Sequence, residues 1–239
     1  MSVMTLVRHG QASFLSADYD RLSTLGEEQS RLLGRFWGVH GNRFDAVYMG
    51  PRLRQQDTAN LIGKSIRQAG GDFPEPVMLP GLDEYDLQGF VEHVAPALAA
   101  TDSDFANLLE IDQKKNLPHE RQRSFQRMFE KLLVRWQSET QSIDNVETWP
   151  VFRQRVESTI RQIQRNAPKS SRLAIVTSGG FIGTAVQIAL AAPDRSALEL
   201  NWRVRNSSLT DLVFTQDRLT LDSFNAIPHL PDPSHWTYR

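Results

Sequence analysis

The sequence of 239 residues contains no cysteine, which excludes disulfide bonds, thiolate catalysis and zinc sites built on cysteine. It also has no excess of charge of one sign, because 27 lysines and arginines stand against 28 aspartates and glutamates. The resulting net charge of −1 gives no general attraction to nucleic acid or to an anionic membrane. Any site for an anion must therefore be a local cluster of positive groups.

Long hydrophobic runs are missing as well. No stretch reaches the roughly 18 apolar residues that a membrane-spanning helix needs. The apolar run before Arg8 is too short for a signal peptide and has neither a basic lead nor a cleavage site. We therefore expect a cytoplasmic protein with no membrane partner and no nucleic-acid partner. The hydrophobic share of 40% and the charged share of 23% are typical of a globular protein with a sizeable core.

Short apolar runs alternate with amphipathic segments along much of the chain. β-branched and apolar residues predict strands, the last two forming a hairpin, over 3–8, 44–49, 76–79, 172–177, 208–214 and 219–224. Helical spacing predicts helices over 22–38, 51–67, 149–166 and 181–191. Strands that alternate with helices indicate an α/β fold, here a three-layer α/β/α sandwich around a mainly parallel sheet.

Residues 90–148 differ from the rest of the chain. They are charged and largely helical in pattern, with a helix predicted over 119–139, and they contain no convincing strand. Asp144 and Asn145 precede the predicted core helix at 149–166. No linker rich in glycine, serine or proline flanks this part. We therefore expect a single domain over 1–239 with a helical cap insertion at 90–148.

Polar residues follow three of the predicted strands. Arg8-His9-Gly10 ends the first, Arg52 and Arg54 follow the second, and Ser178-Gly179-Gly180 ends the strand at 172–177. Ligands of such sheets bind outside the carboxyl ends of the strands. Arginines and a helix N-terminus both suit an anion, so together they predict a phosphate site. Taken singly, an Arg-His pair is more often a surface or core pair, and Ser-Gly-Gly is more often a plain turn.

Five motifs in the sequence resemble those of a known protein family. They are LVRHG at 6–10, LSTLGEEQSRLLG at 22–34, PRLRQQDTA at 51–59, LDE at 82–84, and NSSLTDL at 206–212 with FNAIPHL at 224–230. In this order they resemble the motifs of the histidine phosphatase superfamily, which includes the cofactor-dependent phosphoglycerate mutases. The second is similar to L-[ST]-x-x-G-x-x-Q-A-x-x-L-G, the third to S-P-L-x-R-A-x-Q-T-A, and the fourth to L-x-E.

The resemblance implies a role for each matched side chain. His9 would attack phosphorus and carry the phosphoryl group, while Arg8 and Arg54 would bind its equatorial oxygens. Glu84 would protonate the leaving alkoxide and then help to activate water. Elementary chemistry agrees for His9, since neutral imidazole is a competent nucleophile near pH 7. Without the resemblance, Glu84 would be interpreted as a solvated loop carboxylate.

One position departs from the family pattern. The family reads [ST]-H-G-G where this chain has Val176-Thr177-Ser178-Gly179-Gly180, so Ser178 stands where a second histidine is expected. Serine donates a hydrogen bond but carries no charge, and loss of one preorganised donor costs about 10²–10³ in rate. Ser178 and Gly179 are expected to bind the phosphate. His93 or His119 would have to fold over the pocket to replace the histidine. Gly50 also replaces the serine before Pro51.

The sequence leaves three functions open. The leading expectation is a metal-independent phosphatase that needs no cofactor and acts on a small phosphorylated substrate. Ser178 favours a second interpretation, a degenerate member that binds phosphorylated ligands without turnover. A phosphoglycerate mutase is less expected, because the chain lacks an E-R-H-Y-G-like basic segment. The family analogy implies that the insertion at 90–148 covers the pocket mouth. A homodimer stays open, since Trp136 and Trp236 could be core or interface residues.

Overall fold

The computed structural model describes residues 1–13, 20–114, 118–138 and 146–238, without the side chains of 112–124. The chain divides into two compact units, one made of Met1–Glu84 with Arg155–Arg239 and the other of Tyr85–Gln154. Within the described ranges, no helix is long and apolar enough to cross a membrane. Asp144, Asn145 and the side chain of His119 lie outside the described residues. That 1–239 is one domain with a cap at 90–148 stays a prediction.

A mixed sheet runs through the first unit. Its described strands are β1 (Ser2–Arg8), β2 (Ala46–Met49), β3 (Val77–Met78), β4 (Arg172–Thr177), β5 (Leu209–Phe214) and β6 (Leu219–Ala226). They lie in the order β3-β2-β4-β1-β5-β6. The first four strands in this order are parallel, whereas β5 is antiparallel to β1 and β6 is antiparallel to β5. The predicted α/β class, mainly parallel sheet and closing hairpin are confirmed.

The described α-helices include those that the sequence pattern predicts. They are α1 (Thr24–Val39), α2 (Leu53–Gln68), α3 (Leu87–Gly89), α4 (Ala95–Ala99), α5 (Ser103–Lys114), α6 (Pro118–Ser138), α7 (Trp149–Asn166), α8 (Gly179–Ala189) and α9 (Arg195–Asn201). Ser23 caps α1 by accepting the Gly26 N–H over 3.0 Å, as its sequence position predicts. Helix α2 begins two residues later than predicted, because Pro51 precedes the N-cap residue Arg52. The sequence pattern did not predict α3 or α9, and it gave no bounds for α4 and α5 within the helical stretch at 90–148.

Both faces of the two central strands, β4 and β1, are buried. Val7, Val47 and Val176 pack in one cluster with apolar side chains of α1 and α2. Successive residues of a strand point to opposite faces, so Leu6 and Ile175 lie on the other side. Both are also buried, at 0% and 1% exposure. A parallel sheet covered on both faces places its polar chemistry at the ends of the strands, where side chains can leave the core.

The second unit, Tyr85–Gln154, has an aromatic core of its own. The ring of Tyr85 lies 5.7 Å from that of Phe90, and Phe90 lies 4.8 Å from Trp136. Trp136 in turn lies 5.6 Å from Phe152. Trp136 is 3% exposed and donates its indole N–H to the carbonyl of Glu147. Trp136 is therefore a core residue, while Trp236 is 43% exposed.

Candidate active site

His9 lies one residue beyond β1, and its backbone N–H donates to Thr177 O over 2.9 Å. Its side chain is buried, with Nδ1 2.7 Å from the carbonyl oxygen of Gly10. Arg54 donates from Nε to Nε2 of His9 over 3.2 Å. Only a protonated Nδ1 can bond to a carbonyl, and only a deprotonated Nε2 can accept. The ring is therefore neutral, and its lone pair is on Nε2.

The surroundings of His9 favour this neutral form. Burial is the largest cause that lowers the pKa of His9 well below its usual value, and the positive charges of Arg54 and Arg8 lower it further. The Gly10 carbonyl acts in the opposite direction, because it stabilises the protonated ring. His9 keeps its lone pair at neutral pH, as a nucleophile requires.

The two arginines come from different elements. Arg8 ends β1, and its guanidinium donates to the carbonyl oxygen of Val204. Arg54 lies in the first turn of α2, where its side chain is buried and forms an ion pair with Asp20 over 2.7 Å. The other carboxylate oxygen of Asp20 accepts the N–H of Leu53 over 2.9 Å. Asp20 therefore holds the start of α2 and the Arg54 guanidinium at the same time, which orients Arg54 towards His9.

Glu84 follows a short turn after β3, and its Oε2 accepts the N–H of Gly180 over 3.0 Å. That N–H belongs to the first turn of α8, where the helix dipole favours an anion. The backbone before Glu84 is held by Arg155, which donates to the carbonyl oxygens of Gly81 and Asp83 over 3.1 and 2.8 Å. A carboxylate of the chain itself thus accepts an N–H at the helix end that the sequence suggested for phosphate.

Ser178 connects β4 to α8, and Gly179 is the first residue of that helix. Ser178 is fully buried, and its Oγ accepts a hydrogen bond from Gln55 Nε2 over 2.8 Å. A Cβ built on Gly179 would lie 2.7 Å from Asn201 Oδ1 and 3.6 Å from Arg8 Cζ. Glycine at 179 therefore leaves room for the Asn201 side-chain oxygen, and the Arg8 guanidinium lies near the same backbone position. Hydrogen bonds link His9 to Arg54, Glu84 to α8 and Ser178 to α2.

Four residues at this site were missed by the sequence patterns: Asp20, Gln55, Thr58 and Asn206. Thr58 Oγ1 accepts the N–H of Gly10 over 3.0 Å, and Asn206 Nδ2 donates to His9 O over 3.3 Å. Gln55, Thr58 and Asn206 lie inside quoted motifs, so the motifs held a signal for them. Asp20 lies in none of the quoted motifs.

Other histidines and acidic side chains form no site of three or more metal ligands among the described residues. His229 is buried beside Ser207, whose Oγ lies 2.9 Å from His229 Nε2. His93 belongs to the second unit. Within the part of the chain that the structure describes, no group of three or more histidine, aspartate or glutamate side chains is placed to hold a metal ion.

Comparison with known proteins gives both a family and a fold. The model of the histidine phosphatase superfamily (branch 1) matches residues 4–133 and 106–227. A phosphoglycerate mutase structure from Bacillus anthracis str. Sterne is 20% identical, with a TM-score of 0.63 over 95% of this chain and 94% of that one. The alpha-ribazole phosphatase of Shigella flexneri is also 20% identical, with a TM-score of 0.62 over 94% of this chain and 96% of that one.

A third similar structure is a phosphoserine phosphatase from Entamoeba histolytica in complex with 3-phosphoglyceric acid. It is 16% identical, with a TM-score of 0.63 over 96% of this chain and 100% of that one. At these identities the likeness establishes the fold. No curated protein matches the chain.

Proposed function

The chain belongs to the histidine phosphatase superfamily (branch 1), and on that premise we propose that it is a phosphatase that hydrolyses a small phosphomonoester through a phosphohistidine at His9. The protonation state and burial of His9 give this proposal its strongest support. A neutral, buried imidazole accepts at Nε2 from Arg54 over 3.2 Å. A nucleophile and a cation that can bind the group under attack therefore lie side by side.

The first half of the reaction moves the phosphoryl group to the enzyme. The Nε2 lone pair of His9 forms a bond to phosphorus while the ester P–O bond breaks. The leaving alkoxide takes a proton from Glu84, which has to enter this step as the neutral carboxylic acid. Arg8 and Arg54 neutralise charge on the equatorial oxygens, which is the main contribution a protein makes to phosphoryl transfer. The Nδ1 proton stays in its hydrogen bond to the Gly10 carbonyl oxygen.

The second half returns the site to its starting state. Water attacks the phosphohistidine and gives its proton to the Glu84 carboxylate, which lost its own proton in the first half. The P–N bond breaks as the new P–O bond forms, inorganic phosphate leaves, and Nε2 regains its lone pair. The steps use the substrate, water and side chains of this chain, so the proposal needs neither a metal ion nor a cofactor.

A second function is a protein that binds phosphorylated ligands without turning them over. Ser178 favours it, because a serine supplies a hydrogen bond but none of the charge that a histidine at this position would supply. Orthovanadate or phosphate binding without hydrolysis supports this alternative. Exchange of phosphate between positions of a phosphoglycerate, measured in a coupled assay, would instead support a mutase.

The decisive experiment traps the phosphorylated enzyme. The protein is incubated with a labelled phosphodonor and denatured in alkali, and the acid-labile label is located. We expect the label on His9, no label in His9→Asn, and full label in His40→Gln, a control at the exposed C-terminal end of α1. Absence of label, together with no activity on a broad panel of phosphoesters from about pH 5 to pH 8, contradicts the proposal.

A further inference from the structure

The side-chain amide of Gln55 is buried and has a fixed orientation. Its Oε1 accepts the N–H of Arg52 over 3.1 Å, and its Nε2 donates to Leu82 O over 3.4 Å. Turning the amide over would set nitrogen against an N–H and oxygen against a carbonyl. The hydrogen bond of 2.8 Å between Nε2 and Ser178 Oγ therefore runs in one direction, with Gln55 as donor and the hydroxyl as acceptor.

The Ser178 hydroxyl still has its own proton to donate. Serine at a helix N-cap usually accepts a backbone N–H of the first turn. Ser178 occupies the N-cap of α8 but makes no capping bond, and the N–H of Gly180 donates to Glu84 instead. Among the described residues none accepts the Ser178 proton, although the side chain is fully buried. A buried donor without an acceptor is unfavourable, which points to an acceptor on the ligand.

Gly50 makes room for the Gln55 amide. A Cβ built on Gly50 would lie 2.7 Å from Gln55 Cδ and 2.8 Å from Leu82 O. Any side chain at position 50 would therefore displace the amide that bonds to Ser178. In the quoted family motifs these positions are Ser at 50, Ala at 55 and His at 178. The three differences lie in one connected group of contacts, so they form one coupled change.

We propose that Gln55 is a positioning residue for phosphoryl transfer. It holds the Ser178 hydroxyl as a neutral donor to the phosphoryl group on His9, and Gly50 provides the space. Ser178 is close to His9 along the sheet, because the preceding residue, Thr177, accepts the His9 N–H over 2.9 Å. The inference rests on the proposed function. The chemical consequence is a donor that does not titrate, where a histidine would gain and lose a proton near neutral pH.

A double-mutant cycle tests whether Gln55 acts through Ser178. With p-nitrophenyl phosphate as substrate, we expect Ser178→Ala to lower kcat about 10²-fold and Gln55→Ala about 10-fold. In the Ser178→Ala background, Gln55→Ala should change kcat by less than about twofold, because the hydroxyl it positions is gone. Equal losses from Gln55→Ala in both backgrounds would overturn the proposal.

Two controls separate positioning from folding. Gln56→Ala changes the next residue of α2, whose side chain bonds to Pro51 O over 2.7 Å, and it should leave kcat unchanged. Gln55→Met keeps most of the side-chain volume without hydrogen bonds and should match the kcat of Gln55→Ala. If both position 55 variants melt early, the cycle is repeated on Gln55→Met at a temperature where circular dichroism shows the native fold.

The pH profile gives a readout that a purely structural role would not change. The Gln55 amide lies against Ser178, so Ser178→His alone should lower kcat, because the ring and the amide compete for space. The double variant Q55A/S178H should recover kcat at least tenfold relative to S178H. It should also gain an alkaline fall in kcat near the pKa of a histidine, about 6.5. No recovery and no new alkaline limb would count against the inference.

Orthovanadate binding separates failure of this inference from failure of the proposed function. If the wild type shows no turnover, the four proteins of the double-mutant cycle are compared by calorimetric titration with orthovanadate. They are the wild type, Ser178→Ala, Gln55→Ala and the variant that carries both substitutions. Gln55→Ala should then weaken binding at least fivefold with Ser178 present and less than twofold in Ser178→Ala. If the losses from the two substitutions are additive in turnover or in binding, the positioning role of Gln55 is overturned. The proposed phosphatase function is not affected by that result. A wild type that neither hydrolyses phosphoesters nor binds orthovanadate removes both proposals.

Discussion

Arg54 donates a hydrogen bond from Nε to Nε2 of His9 over 3.2 Å, and its Nη1 forms an ion pair with Asp20 over 2.7 Å. One guanidinium thus bonds to the candidate nucleophile and to a carboxylate through different nitrogens. The planar shape of the group fixes both contacts together, because moving one nitrogen moves the others. Lysine has a single nitrogen and cannot make the same pair of contacts.

Replacing Arg54 with lysine therefore tests geometry at constant charge. We expect Arg54→Lys to lower kcat/KM at least about 10²-fold, because the directed donors on the phosphoryl group are lost. Steady-state kinetics with p-nitrophenyl phosphate provides the measurement. Arg31→Lys, in an exposed ion pair of 2.7 Å with Glu27, is the matched control and should keep wild-type kinetics. Near-normal activity in Arg54→Lys would show that charge alone suffices.

The pKa of His9 can be measured directly from its ring proton in NMR spectra. Burial and the charges of Arg54 and Arg8 lower this pKa well below 6.5. A lowered pKa keeps the ring neutral to lower pH, so we expect no His9 titration as the pH falls from 8 through 6.5. Arg54→Gln removes a positive neighbour and should shift the titration upwards. A wild-type His9 that titrates near 6.5 would contradict this account.

The role of Glu84 can be separated by the leaving group. Glu84→Gln keeps an oxygen that can accept the Gly180 N–H but cannot give or take the proton. We expect kcat/KM to fall about 10²–10⁴-fold for an alkyl phosphate and much less for p-nitrophenyl phosphate, whose leaving group needs no proton. Glu157→Gln, in an exposed pair with Arg161, should change neither value. Equal losses for both substrates would rule out proton transfer by Glu84.

Acid should destabilise the fold through His229. Burial lowers its pKa to about 3. In the unfolded chain the pKa is near 6.5, so between these values the unfolded state binds a proton that the folded state does not. The free energy of unfolding should therefore fall as the pH drops below about 6.5, by about 2 kcal/mol at pH 5. Denaturant unfolding at pH 7 and pH 5 measures it.

His229→Gln is the test of that assignment. The amide can replace the contact with Ser207 Oγ, now 2.9 Å from Nε2, but it does not titrate. We expect the difference in stability between pH 7 and pH 5 to shrink by about 2 kcal/mol in this variant. An unchanged dependence in His229→Gln would assign the acid sensitivity to other groups, of which buried His9 is the first candidate.

Local sequence patterns predicted many of the strands and helices. The strand at 172–177 and helix α7 at 149–166 have the predicted bounds. The spacing of apolar side chains along each segment is enough to predict a strand or a helix. Ser23 is the N-cap of α1, because its hydroxyl oxygen accepts a backbone N–H of the first turn. Helix α2 began two residues late, and the seven residues of α9 are too few to show a clear period.

The sequence by itself determined the α/β class, the alternation of strands and helices, and the segments that hold His9, Arg54, Glu84 and Ser178. Only the tertiary structure decided what those side chains bond to. Gln55 meets Ser178 across 123 positions, and Glu84 meets Gly180 across 96. Periodicity and capping act over a few neighbouring residues, whereas such contacts depend on how β1, β4, α2 and α8 pack. The physical reason is that a hydrogen bond is set by distance in space, which sequence separation does not reveal.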